Sequence, residues 1–90
     1  MSDPVRIGLL GRGTVGAAFE ELLGRRAAAV EAATGRRPEI CGVLTRGGGD
    51  FEEVVERAEL IVELIGGTDP ARQYVLEALR RGRPVVTANK

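Results

Sequence analysis

Val5-Arg6-Ile7-Gly8-Leu9-Leu10-Gly11-Arg12-Gly13-Thr14-Val15-Gly16 is the stretch that decides the fold. An apolar, β-prone run breaks into glycines spaced G-x-G-x-x-G and continues in a pattern of helical period. That order reads as a strand, a tight turn and a helix. Gly11 permits the turn, Gly13 lets a pyrophosphate approach the backbone, and Gly16 lets the helix pack close to the strand. The N–H groups of the first helical turn then face the phosphates, where the helix dipole also favours negative charge. With 13 glycines in 90 residues the spacing alone is a weak signal, and an ordinary strand-to-helix turn is the competing reading. The β-rich run before it and the amphipathic segment after it favour a dinucleotide.

From Thr14 onward Val15, Phe19, Leu22, Leu23, Ala27 and Val30 recur at three- and four-residue steps, predicting one helix to about Thr34, with Gly35 placed to end it. Gly24 lies inside and costs about 1 kcal/mol relative to alanine, which leaves either close packing or a break at that point. Arg36-Arg37-Pro38 leads into a second strand, Glu39 to Leu44, and the loop Arg46-Gly47-Gly48-Gly49 follows. Asp50, three residues before Glu53, predicts a capping box for a short helix from Phe51 to about Arg57. Leu60 to Ile65 is a third strand, ended by Gly66-Gly67-Thr68. Asp69 can cap the next helix with Pro70 at its first position, and Ala71, Tyr74, Val75, Ala78 and Leu79 form its apolar face up to Gly82. Pro84 to Thr87 is a fourth strand.

The order β-α-β-α-β-α-β predicts a Rossmann-type, doubly wound α/β domain over residues 1–90, a parallel sheet with helices on both faces. Right-handed crossovers set strands 1 and 2 side by side, and the chain must then reverse across the sheet to leave a ligand crevice. The expected strand order is 2-1-3-4, with the crevice between strands 1 and 3. Phosphates then lie over Gly11 to Gly16, the adenosine end leans toward strand 2, and the reactive end points toward Gly66-Gly67-Thr68.

Composition narrows the function classes. Thirteen basic residues balance thirteen acidic ones without forming an aromatic-studded stripe, so no nucleic-acid partner is expected. Phe19, Phe51 and Tyr74 are the aromatic residues, which leaves aliphatic side chains to build the interior, as in helix-covered parallel sheets. The single cysteine, Cys41, sits in an apolar run and reads as core filling rather than a reactive thiol. Histidine is absent, which removes the usual general base near neutral pH and the commonest metal ligand, so no metal site is expected. The polar start Met1-Ser2-Asp3-Pro4 is unlike a signal sequence, and no apolar run approaches the ~20 residues that span a bilayer. A cytoplasmic protein without a membrane partner is expected.

A family becomes visible beyond the third strand. Ile61-Val62-Glu63-Leu64-Ile65-Gly66-Gly67-Thr68-Asp69-Pro70-Ala71-Arg72 and Val85-Val86-Thr87-Ala88-Asn89-Lys90, together with Gly-x-Gly-Thr-Val-Gly, closely resemble homoserine dehydrogenase. The likeness covers essentially the whole chain but only the N-terminal part of that family's nucleotide-binding domain. It implies NAD(P)-dependent interconversion of L-homoserine and L-aspartate 4-semialdehyde, on the route to threonine, methionine and isoleucine. It also implies that Gly11, Arg12, Gly13, Thr14 and Val15 lie along the pyrophosphate, with Gly16 and Thr87 among the cofactor-binding positions. Gly66 and Gly67 are implied near the nicotinamide-side ribose, and Lys90 in the active site. An ammonium at a strand's carboxyl end can polarise a carbonyl oxygen or help transfer its proton. Without the resemblance Lys90 reads as a solvated lysine.

The family's dimerisation and substrate-binding region, with its catalytic Asp and second Lys, has no counterpart in these ninety residues, and the segment between strands 2 and 3 is short. The expectation is a truncated frame that binds cofactor without completing turnover, and a homo-oligomer for the full-length enzyme. For the cofactor, NAD-preferring sites place a carboxylate at the end of strand 2, where this chain has Thr45-Arg46. A guanidinium pairs well with a 2′-phosphate, which favours NADP(H); Asp50, folding back from its loop, would serve NAD(H) instead. A binding-only dinucleotide module, or another semialdehyde or sugar dehydrogenase, is the alternative reading.

Overall fold

The computed structural model describes residues 4–45, 48–65 and 71–87. In chain order the elements are β1 (Val5–Leu10), α1 (Thr14–Thr34), β2 (Pro38–Leu44), α2 (Phe51–Arg57), β3 (Leu60–Glu63), α3 (Ala71–Arg80) and β4 (Val85–Thr87). All strand pairs are parallel, in the order β2-β1-β3-β4 that the crossover argument predicts. The helices cover both faces. On one, Ile7, Leu9 and Val62 are buried against Phe19 and Leu23 of α1. On the other, Leu10, Leu44 and Ile61 pack with Val54, Val55 and Ala58 around α2 and Ala78 of α3.

α1 runs unbroken through Gly24, where an added Cβ would meet nothing within 4 Å, so among the described residues there is neither a break nor close packing at that point. Its expected apolar stripe is only partly used. Ala27 is buried and Phe19, Leu23 and Val30 are half-buried, but Val15 and Leu22 are exposed. Length explains this: a 21-residue helix extends about 32 Å, whereas the six residues of β1 extend about 20 Å. The helix outruns the sheet it covers. Gly35 ends it in a left-handed conformation, its N–H donating to the Glu31 carbonyl.

Two local expectations are corrected in detail. Asp50 does cap α2, its carboxylate accepting from the Glu52 N–H at 2.9 Å, but Glu53 pairs with Arg57 at 3.1 Å one turn on instead of completing a capping box. β3 ends at Glu63 rather than Ile65. The Leu64 N–H still reaches the Leu10 carbonyl at 2.8 Å, but the Ile65 N–H turns to the Glu63 carboxylate. The expected cap Asp69-Pro70 lies outside the described residues.

β2 slips by one residue against β1, so that Ile7 faces Ile40 and Gly8 faces Gly42. Cys41, the residue skipped, is half-buried against the α2 side of the core, where burial pushes its thiol above the ordinary cysteine value and suppresses the thiolate. That environment fits a filler. The Gly8–Gly42 pair forms a notch for α2: a Cβ on Gly8 would stand 2.7 Å from Val54 Cγ1, and one on Gly42 3.2 Å from Val54 Cγ2.

At the sheet's amino edge the Glu59 carboxylate accepts from the Arg36 guanidinium at 2.7 and 3.2 Å and from the Arg6 N–H at 3.0 Å. Arg36 first, then the Arg6 amide, hold this carboxyl below its usual range. Arg36 also donates to the Pro4 carbonyl, so one cluster ties the entry to β1, the entry to β2 and the entry to β3. The opposite, carboxyl edge carries the candidate site. Among the described residues no helix is long and apolar enough to cross a membrane.

Candidate functional site

The glycine fingerprint forms a turn whose members hold one another. Gly11 has φ +93, a left-handed conformation that suits glycine, and its N–H donates to the Leu44 carbonyl at 2.7 Å. A Cβ there would also come within 3.0 Å of the Ile65 backbone nitrogen at the exit of β3. Gly16 is buried, and its Cβ would stand 2.2 Å from the Gly11 carbonyl oxygen. The third glycine therefore lets α1 close onto the turn at the end of β1, which refines the expected helix-to-strand packing.

Gly13 differs from both. Among the described residues an added Cβ at this position would meet nothing within 4 Å, so no contact with them demands a glycine. Open space directly over its backbone is what a closely approaching ligand needs. Gly13 is also the N-cap of α1, with extended backbone and no side chain to cap the helix, and the first turn holds no acidic residue. The N–H groups of that turn thus form an anion-accepting end flanked by exposed Thr14 and Val15. These residues fit a pyrophosphate.

Arg12, exposed within the same turn, forms an ion pair with Glu20 of α1 at 2.9 Å. Thr45 and Gly48 pair across the loop that follows β2, the Thr45 N–H donating to the Gly48 carbonyl at 2.8 Å. Arg46, between them in sequence, lies outside the described residues, as do Gly66, Gly67 and Lys90. Asp50, the alternative ribose partner, has its carboxylate engaged as the α2 cap.

Leu44, Leu10, Glu63 and Thr87 form the last row of the sheet, one residue from each strand. Gly11 follows Leu10 directly, so the row runs along the base of the fingerprint turn. Thr87, expected among the cofactor-binding positions, donates its hydroxyl proton to Glu63 Oε1. Glu63 was not singled out by sequence reasoning. It is fully buried, and its other oxygen, Oε2, accepts from the Ile65 N–H at 2.6 Å. The available signal was a lone carboxylate in the otherwise apolar run Leu60-Ile61-Val62-Glu63-Leu64-Ile65, on the strand face that Ile61 buries.

The sequence profile described as "Homoserine dehydrogenase, NAD binding domain" matches residues 11–90. The homoserine dehydrogenase of Methylobacillus glycogenes is 39% identical over an alignment covering 97% of this chain and 25% of that protein. That of Neisseria gonorrhoeae is 35% identical, with 97% and 23% covered. Among solved structures, a homoserine dehydrogenase from Thiobacillus denitrificans superposes with a TM-score of 0.86 at 36% identity, covering 96% of this chain and 23% of that one. The chain thus spans about a quarter of the length of the relatives it matches. Glycine turn, strand order and sequence agree: the chain belongs to the homoserine dehydrogenase family, within its nicotinamide-dinucleotide-binding domain.

Proposed function

We propose that these residues hold NADP(H) for the interconversion of L-homoserine and L-aspartate 4-semialdehyde, a reaction on the route to threonine, methionine and isoleucine. The observation that carries the reading is the turn Gly11–Gly16, with open space over Gly13 above an uncapped helix end. The pyrophosphate lies along Gly11, Arg12, Gly13, Thr14, Val15 and Gly16. Arg12 can exchange its Glu20 partner for a phosphate oxygen. Gly66, Gly67 and Thr87 serve the nicotinamide-side ribose. The nicotinamide supplies or accepts the hydride. Lys90, three residues beyond Thr87, polarises the carbonyl oxygen of the semialdehyde or helps move its proton. Substrate alignment, which lowers the barrier by several kcal/mol in such reactions, falls to polypeptide that the relatives have beyond the quarter matched here. The same reading places the protein in the cytoplasm and makes the longer enzyme a homo-oligomer. Val86, 57% exposed on β4, and the exposed Leu76 and Leu79 of α3 offer apolar surface for such contacts.

NADP(H) is preferred over NAD(H) because the end of β2 offers Arg46 and no carboxylate, while Asp50 is occupied in capping α2. Fluorescence titration of this chain should therefore give a lower Kd for NADPH than for NADH. Arg46→Asp should shrink or reverse the difference; equal affinities before and after the substitution would remove Arg46 from the account. For the catalytic role, Lys90→Ala in a protein that includes the substrate-binding region should lower kcat for homoserine oxidation by at least about a hundredfold, the low end for a lost acid–base group, with NADPH affinity nearly unchanged. Full activity in that variant would exclude Lys90. Cofactor binding by a longer protein with no oxidation of homoserine would favour a binding-only module or another alcohol substrate.

A further inference from the structure

We infer that Glu63 is a positioning residue for the nicotinamide half of the cofactor, acting through the Thr87 hydroxyl and the Ile65 amide; the inference rests on the dinucleotide reading above. Carboxylates are seldom fully buried, because leaving water is costly unless the group is paired, and an apolar residue in the same place is often no less stable. Glu63 follows Leu60, Ile61 and Val62 in β3, has Leu10 beside it in the row, and lies on the sheet face that Ile61 shares with α2 and α3. An apolar side chain would suit that packing. What the carboxylate adds is a link between three parts of the carboxyl edge. Oε2 accepts from the Ile65 N–H at 2.6 Å, and the same nitrogen lies against Gly11, 3.0 Å from where a Cβ would stand. Oε1 accepts from Thr87 at the end of β4. One side chain therefore fixes the exit of β3 and the end of β4 against the fingerprint turn.

The direction of the Thr87 bond has a chemical consequence. With its proton committed to a carboxylate, the hydroxyl can act toward any other group only as an acceptor, as ribose hydroxyls or a carboxamide NH₂ require. Glutamine at position 63 can still accept from Ile65, but its amide donates to the Thr87 oxygen and turns the hydroxyl proton outward. Shape is kept while the polarity at Thr87 is inverted.

The test is titration of this chain with NADPH and with 2′,5′-ADP, which carries only the adenosine half, alongside circular dichroism. Glu63→Gln should weaken NADPH about tenfold, equivalent to ~1.4 kcal/mol, while 2′,5′-ADP stays within about twofold. Thr87→Val should have the same selective effect, Thr87→Ser should recover most of the loss, and Glu63→Gln with Thr87→Val together should be no worse than either alone. Unchanged NADPH affinity in Glu63→Gln, equal losses for both probes, or serine as damaging as valine at position 87 would overturn the role. If Glu63→Gln does not fold, the valine and serine variants at Thr87 decide. Failure of the unsubstituted chain to bind either probe would instead overturn the dinucleotide reading, and the positioning role with it.

Discussion

Gly16→Ala is expected to weaken NADPH binding by about a hundredfold and to lower the melting temperature, whereas Gly13→Ala should weaken binding at a stability cost of no more than about 1 kcal/mol, that of alanine for glycine at a helix N-cap. The contrast comes from what each new methyl group would meet. At Gly16 it would stand 2.2 Å from the Gly11 carbonyl oxygen, a backbone atom fixed by the Gly11 N–H bond to Leu44 and by the contact with Ile65. Nothing flexible can yield. Either α1 moves away or the turn opens, by about 1 Å, and withdrawing two backbone N–H groups from a charged phosphate, at about 1.5 kcal/mol each, amounts to about a hundredfold in affinity. At Gly13 the methyl meets none of the described residues, so the fold loses only the preference of a helix N-cap for glycine over alanine. Only a ligand that must touch this backbone would be displaced. Paired thermal melts and NADPH titrations check both variants. Gly13→Ala binding as tightly as the unsubstituted chain would show that the pyrophosphate does not lie over the turn.

What the sequence made legible were features that one short segment specifies. The strand run of β1, the glycine spacing and the helical period of α1 each lie within about twenty residues, so the turn and the sheet order could be reasoned out with the handedness rule. Asp50 was readable as a cap for the same reason, since it bonds two residues away. Its expected partner Glu53 was not, because Arg57 offers an equally local charge pair one turn on. Glu63 is the opposite case: its partner Thr87 is 24 positions distant, and the bond exists only because β3 and β4 share a register. Periodicity marks position 63 as inward-facing but carries no information about what waits there. Topology aimed the reactive end only broadly toward Gly66 and Gly67, and the specific roles proposed for them and for Lys90 rest on the family resemblance, since glycines ending a strand and a lysine after one are common in any α/β protein.

The notch under α2 was equally hidden, since Gly8 and Gly42 lie 34 positions apart and become neighbours only through the slipped pairing of β1 with β2. It carries a prediction about stability that separates folding from binding. Gly8→Ala should destabilise the chain by about 1–3 kcal/mol, the usual cost of overpacking a filled core, which at this size lowers Tm by roughly 4–8 °C per kcal/mol. The added methyl would meet Val54 Cγ1 at 2.7 Å, Ile61 Cδ1 at 2.9 Å and Ala58 Cβ at 3.0 Å. The Ile61 methyl can swing aside. The Ala58 methyl has no rotamer to swing into, and Val54 is branched at Cβ, which carries the clashing methyl and restricts its rotation, so α2 itself must lift. Trimming the intruder tests this: Gly8→Ala combined with Val54→Ala should be less destabilised than the two separate losses added together, by about 0.5–3 kcal/mol. NADPH affinity measured below the melting transition should stay close to that of the unsubstituted chain, because Gly8 faces α2 while α1, the helix proposed to hold the phosphates, lies on the other side of the sheet. Strict additivity in the double variant would mean that Val54 does not rest in the glycine notch.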